Sequence, residues 1–156
     1  NKIVMNTVYK SNQTAEKIDF IEGLSVKILL ESNQTNGALS IFEDTSTPGV
    51  GPARHIHPNH DETFIVIEGE FDFEVDGKIL KANAGDIAFV PKGSIHAWKN
   101  VGKTIGKLNY IFSPGSNIEN LFREFAEANK NGALTPSKLI EISKKYPDQQ
   151  IVGPPM

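Results

Sequence analysis

The sequence predicts a mainly β domain, a sandwich or barrel of antiparallel strands, with two helices at its C-terminal end. Three observations carry this. Short apolar or alternating segments recur between Gly, Asn and Pro turns up to about residue 112. The texture changes at Ser113-Pro114-Gly115. Beyond that point apolar residues fall at helical spacing. A length of 156 residues suits a single domain over 1–156. Its β part covers about 20–113 and its helical part about 116–146.

Segments 24–30 and 38–42 are apolar-rich and separated by Asn33, Asn36 and Gly37. Segment 53–57 is bounded by Pro52 and Pro58, and segments 62–68 and 71–75 flank Gly69. Phe71, Phe73 and Val75 alternate with Asp72 and Glu74, which buries one face and wets the other. Asp76-Gly77 is a two-residue hairpin signal. Segments 78–82, 86–90, 95–99 and 105–112 complete the series. In the tail, Ser116 and Glu119 read as a capping box. Ile118, Leu121, Phe122, Phe125 and Ala126 form one apolar stripe that Asn131-Gly132 ends. A second helix starts at Thr135 with Pro136 in its first turn and stops before Pro147. Gly153-Pro154-Pro155 is expected to continue neither kind of structure.

Composition narrows the function. Sixteen Lys and Arg against nineteen Asp and Glu leave a net charge of −3, which disfavours a nucleic-acid partner. The 38% apolar content, with glycine added, reaches the ordinary globular range and argues against disorder. Absence of cysteine excludes disulfide frameworks, thiolate metal sites and cysteine nucleophiles. No apolar run approaches the ~20 residues of a membrane helix. Residues 1–10 lack the basic-then-apolar layout of a leader, so a cytoplasmic location is expected. Asn12 and Asn33 match the glycosylation pattern and are taken as chance matches.

All four histidines, His55, His57, His60 and His96, lie in the β part. Residues i and i+2 of a strand share a face, so His55 and His57 project together. Glu62 follows the Pro58-Asn59 corner and can return its carboxylate beside them. His96 comes from a later strand, after the Pro91-Lys92-Gly93 turn. Three neutral imidazoles and one carboxylate suit a divalent transition metal, Fe, Mn, Ni, Co, Cu or Zn alike.

The wider spacing is more specific. Gly49, five residues, His55, one residue, His57, four residues, Glu62, six residues and Gly69 make one pattern. Gly85, five residues, Pro91-Lys92-Gly93, two residues, His96, three residues and Asn100 make another. Together they resemble the two motifs of the cupin superfamily over residues from about 38 to 112. The resemblance implies a jelly-roll barrel with a metal bound by His55, His57, Glu62 and His96. The sequence is most similar to the single-domain quercetin-dioxygenase-like cupins. In these a flavonol-type hydroxyl binds the metal, the glutamate takes its proton, and dioxygen attacks the activated ring. Carried over, Glu62 is both ligand and catalytic base. The implied activity is a metal-dependent dioxygenase of an aromatic or enol-type small molecule. A metal-dependent isomerase or lyase and a non-catalytic binding cupin are the alternatives. The helices are expected to cover an apolar sheet face, with a lid over the barrel as their other role.

Strand parity proposes the neighbours of the site. Phe64 and Val66 share the parity of Glu62, and Trp98 that of His96. With Phe73 and Tyr110 they are expected to line a substrate pocket. Arg54 has the opposite parity from His55 and is expected outside, and His60 is read as a solvent-facing loop residue. Glu68, Glu70, Asp72 and Glu74 read as a solvated sheet edge. Ile65 and Ile67 face away from the cavity, toward a second sheet or a homodimer interface.

Overall fold

A computed structural model describes residues 6–156, with only the backbone of Phe20. Residues 1–5, half of the segment read against a leader, lie outside the described residues. The chain runs β1 (Glu16–Ile21), β2 (Leu24–Leu30), β3 (Ser40–Ser46), β4 (Ala53–Ile56), β5 (Asp61–Glu68) and β6 (Glu70–Val75). It continues through β7 (Lys78–Asn83), β8 (Ile87–Val90), β9 (His96–Asn100) and β10 (Gly106–Ser113). Helices α1 (Glu119–Lys130) and α2 (Pro136–Ser143) follow, and β11 (Gln150–Pro155) closes the chain. One sheet has the order β1-β2-β3-β10-β5-β8 and the other β11-β4-β9-β6-β7. Neighbouring strands pair antiparallel throughout. No helix among the described residues is long and apolar enough to cross a membrane.

The core forms where inward parities from both sheets meet. Phe64, Val66, Tyr110 and Phe112 come from one sheet, Phe71, Phe73 and Trp98 from the other, and all are buried. Burying each large side chain contributes roughly 1.5–3 kcal/mol. Helix α1 turns Ile118, Leu121, Phe122 and Phe125 onto this core, as its stripe predicts. The Phe122 ring meets Phe42 edge-on at 5.8 Å. At the Asp76-Gly77 hairpin both residues have positive φ, 47° and 79°, the conformation a two-residue turn between twisted strands requires.

Five features differ from the sequence expectations. Strand β1 was not foreseen, because Glu16, Lys17 and Asp19 leave Ile18 as its buried apolar side chain among those described. The strand expected at 38–42 is β3, displaced to Ser40–Ser46. Ser116 does not cap α1: the helix begins after Ile118 without a side-chain cap. Ser116 is instead fully buried, and its backbone N–H donates to Ser40 Oγ at 3.1 Å. The acidic run lies mostly on β6, an interior strand between β9 and β7, rather than at an edge. Its Glu74 accepts two hydrogen bonds from Arg54, 2.9 and 2.8 Å. Finally, Gly153-Pro154-Pro155 does continue a strand. Proline is tolerated there because β11 is an edge strand, with one side free of ladder bonds.

Candidate metal centre

Both sheets contribute to the site. His55 on β4 stands opposite His96 on β9 in the register of one sheet. His57 lies just past the end of β4, and Glu62 projects from β5 in the other sheet. All four side chains are buried, and one donor atom from each lies within 4.8 Å of the others. The imidazole centroids are 4.3 Å apart for His55 and His96, 4.9 Å for His55 and His57, and 5.3 Å for His57 and His96.

Backbone carbonyls set the orientation of every ring. His55 Nδ1 meets Ala53 O at 2.7 Å, His57 Nδ1 meets Asp148 O at 2.9 Å, and His96 Nδ1 meets Ser94 O at 3.0 Å. A carbonyl only accepts, so these partners hold the Nδ1 hydrogens and aim each Nε2 into the cluster, where His96 Nε2 donates to Glu62 until an ion takes the place of that hydrogen. His96 Nε2 lies 2.8 Å from Glu62 Oε2, and His57 Nε2 lies 3.3 Å from the same oxygen. His57 Nε2 is buried without a hydrogen-bond partner.

The electrostatics follow from burial and proximity. Burial, then the neighbouring His96 and His57, push the His55 pKa well below the ordinary histidine value. Burial opposes charge on Glu62 too, but His57 and His96 outweigh it and hold the carboxyl well below its usual range. Burial likewise opposes charge on His96, yet Glu62 raises its pKa overall. The cluster thus gathers three Nε2 atoms and a carboxylate in a dry place. A divalent cation satisfies all of them, including the orphaned His57 Nε2, so the donor set fits a metal.

A cavity of about 50 Å³ adjoins the donors. Of the five expected pocket residues, Phe64, Trp98 and Tyr110 line it. Val66 and Phe73 are buried in the core beyond its walls, because parity fixes the face of a side chain and not its distance along the barrel. Phe112, Leu24, Phe122, Phe125 and Gln149 complete much of the lining. Helix α1 therefore supplies cavity wall as well as sheet cover.

His60 is not solvent-facing. It is buried, with Nδ1 2.8 Å from Pro114 O and Nε2 3.2 Å from Asp148 Oδ2. The C-terminal segment covers the loop that the sequence left open. Arg54 does point outward, where it also donates to Pro154 O and Pro155 O at 2.9 and 3.0 Å. Two acidic residues are among those at the site that escaped sequence reasoning. Asp148 carries no local signal. Asp44 has one: it shares the parity of Phe42, a charged side chain on an inward face, but the expected strand stopped at residue 42.

Comparison with known proteins agrees with this geometry. The family profile described as a cupin domain matches residues 43–112, a span that holds all four donors. The tetracenomycin polyketide synthase protein TcmJ of Streptomyces glaucescens is 27% identical over 141 residues, 88% of each chain. Quercetin 2,3-dioxygenase of Bacillus subtilis is 27% identical over 73 residues, which is 47% of this chain and 22% of that enzyme. Among solved structures, an RmlC-like cupin from Shewanella frigidimarina superposes with a TM-score of 0.60 at 30% identity, over 70% of this chain and 92% of that one. Two antiparallel sheets, a buried three-histidine, one-glutamate cluster at both motifs and these relatives together establish that the chain belongs to the cupin superfamily.

Proposed function

We propose that this chain is a metal-dependent enzyme acting on an aromatic or enol-type small molecule, with dioxygenation as its reaction. The observation that carries the proposal is the buried His55, His57, Glu62 and His96 set, of which His55, His57 and Glu62 face a cavity walled by Phe64, Trp98, Tyr110 and Phe112. A divalent ion held there supplies Lewis-acid activation of a substrate hydroxyl and, if redox-active, a route to dioxygen. The imidazoles position it through their carbonyl-fixed rings. Glu62 accepts the hydroxyl proton at a carboxylate oxygen. The aromatic walls exclude water and orient a planar substrate.

The cavity is far smaller than the ~300–1,000 Å³ of sites that bury drug-sized ligands. A flavonol-sized substrate therefore requires the cavity wall to move aside, whereas a short enol-type substrate needs less. Oxygen uptake by metal-loaded protein with a panel of catechols, flavonols and enols tests the proposal. Uptake with one of them, absent in His57→Ala, is expected. Turnover that is equal under nitrogen supports the second reading, an oxygen-independent isomerase or lyase. The match to the dioxygenase covers only 22% of that enzyme, so its reaction is not carried over whole. Ligand binding without any turnover favours a binding cupin.

We also propose a homodimer. Ile87 and Phe89 on the edge strand β8 are 66% and 58% exposed, an apolar pair that a second copy covers.

A further inference from the structure

The cavity beside the metal donors contains a second polar pair that the chemistry above leaves unused. Asp44 and Tyr110 both line it, and the Tyr110 hydroxyl donates to Asp44 Oδ1 at 3.1 Å. Across the sheet Asp44 stands between Val26 and Leu108, both fully buried. An apolar side chain completes that row without a desolvation cost, whereas a carboxyl costs free energy unless its hydrogen-bonding capacity is used. Its effect is to fix the phenol. The Tyr110 ring stacks on Phe42 at 5.4 Å and lies 5.8 Å from Phe64, so ring packing and Asp44 together determine where the hydroxyl points. Most of the remaining wall is apolar, and in such sites a few convergent polar groups set ligand orientation.

We propose that the Tyr110 hydroxyl, positioned by Asp44, is the second polar anchor of this cavity, for a small ligand that turns one oxygen toward the metal donors and hydrogen-bonds another to Tyr110. The inference rests on the metal-centre reading and narrows its enol-type substrate to short-chain, enolisable oxo-acids, for which simple hydroxy-acids serve as probes. Size favours short ligands over flavonol-sized ones, since the cavity of about 50 Å³ is far below the ~300–1,000 Å³ of sites for drug-sized molecules. Burial, partly offset by the bond from Tyr110, holds the Asp44 carboxyl well above the usual range. With its hydrogen directed to Asp44, the phenol oxygen accepts from a ligand hydroxyl.

The test uses the full chain loaded with Co²⁺, whose visible absorbance reports ligand binding. Glycolate is titrated against acetate, and 3-hydroxypropionate against propionate. In at least one pair the hydroxylated member binds about tenfold more tightly to the native protein, the scale of one retained hydrogen bond. Tyr110→Phe brings the two members within about twofold while leaving Co²⁺ uptake and the melting temperature close to native. Asp44→Ala does the same, and Asp44→Asn, which keeps an oxygen for the phenol, restores most of the preference. A structural role alone does not move that ratio. Absence of a preference in the native protein overturns the inference, as does a preference that survives Tyr110→Phe, because the added hydroxyl then belongs to the ion. Native protein that takes up no Co²⁺ overturns the metal centre and this inference together; uptake with an unaltered ratio overturns this inference alone.

Discussion

The ring of His57 meets the carbonyl oxygen of Asp148, 91 residues further along the chain, at 2.9 Å. The C-terminal segment thereby orients one of the candidate metal donors. Two further contacts hold the segment in place: Arg54 grips Pro154 and Pro155, and β11 pairs with β4, the strand that carries His55. The end of the chain is thus tied to both histidines of the first motif.

Removing residues 147–156 is expected to weaken metal binding about 10–100-fold, the usual consequence of losing a partner that orients a ligand. Competition against a chromophoric chelator measures this. Equal affinity in the shortened and full chains removes the orienting role of Asp148.

His57→Ala and Glu62→Gln are each expected to reduce bound metal to below about a tenth of native while the fold survives. The core of both sheets does not depend on the ion. Metal content by elemental analysis, with circular dichroism on the same samples, checks both parts. Full occupancy in His57→Ala refutes the donor assignment.

Asp44 gives stability a pH dependence with a definite sign. Its carboxyl pKa is raised by burial in the folded chain and is near 3.9 once unfolded. Between those values the folded state binds more protons, so this contribution is present in acid and is lost as pH rises, at up to ~1.4 kcal/mol per pH unit. Asp44→Asn lacks it. The stability of Asp44→Asn relative to native should therefore grow as pH rises above about 4. Urea unfolding of both proteins at several pH values, taken as a difference so that shared groups cancel, reads this out. A flat difference means that Asp44 is ionised in the folded state.

Phe73 is 1% exposed and packs on Phe64 at 5.1 Å. Phe73→Ala should cost about 3–5 kcal/mol of folding stability. In its place Leu, of closer volume, should leave ligand preference unchanged, because Phe73 lies outside the cavity wall. A shift in preference with Phe73→Leu would return Phe73 to the pocket.

Light scattering tests the proposed homodimer. Phe89→Lys places a charge on the exposed face of β8 and should convert dimer to monomer without lowering metal content. An unchanged mass moves the interface elsewhere.

The local order of this chain determined its strands and its donors. Alternation at Phe71, Phe73 and Val75, the Asp76-Gly77 turn and the i, i+2 placement of His55 and His57 are short-range consequences of strand geometry, so they are written in consecutive residues. Tertiary structure decided what lies around those donors. Only the folding back of the tail could bury His60 and turn Asp148 to His57, since no local pattern specifies a contact across 91 residues. Only the depth of each residue along the barrel could separate Phe64 and Tyr110, which face the cavity, from Val66 and Phe73, which share inward-facing parity without reaching it. Parity has a period of two residues and is local; depth and closure depend on how both sheets, α1 and β11 pack together.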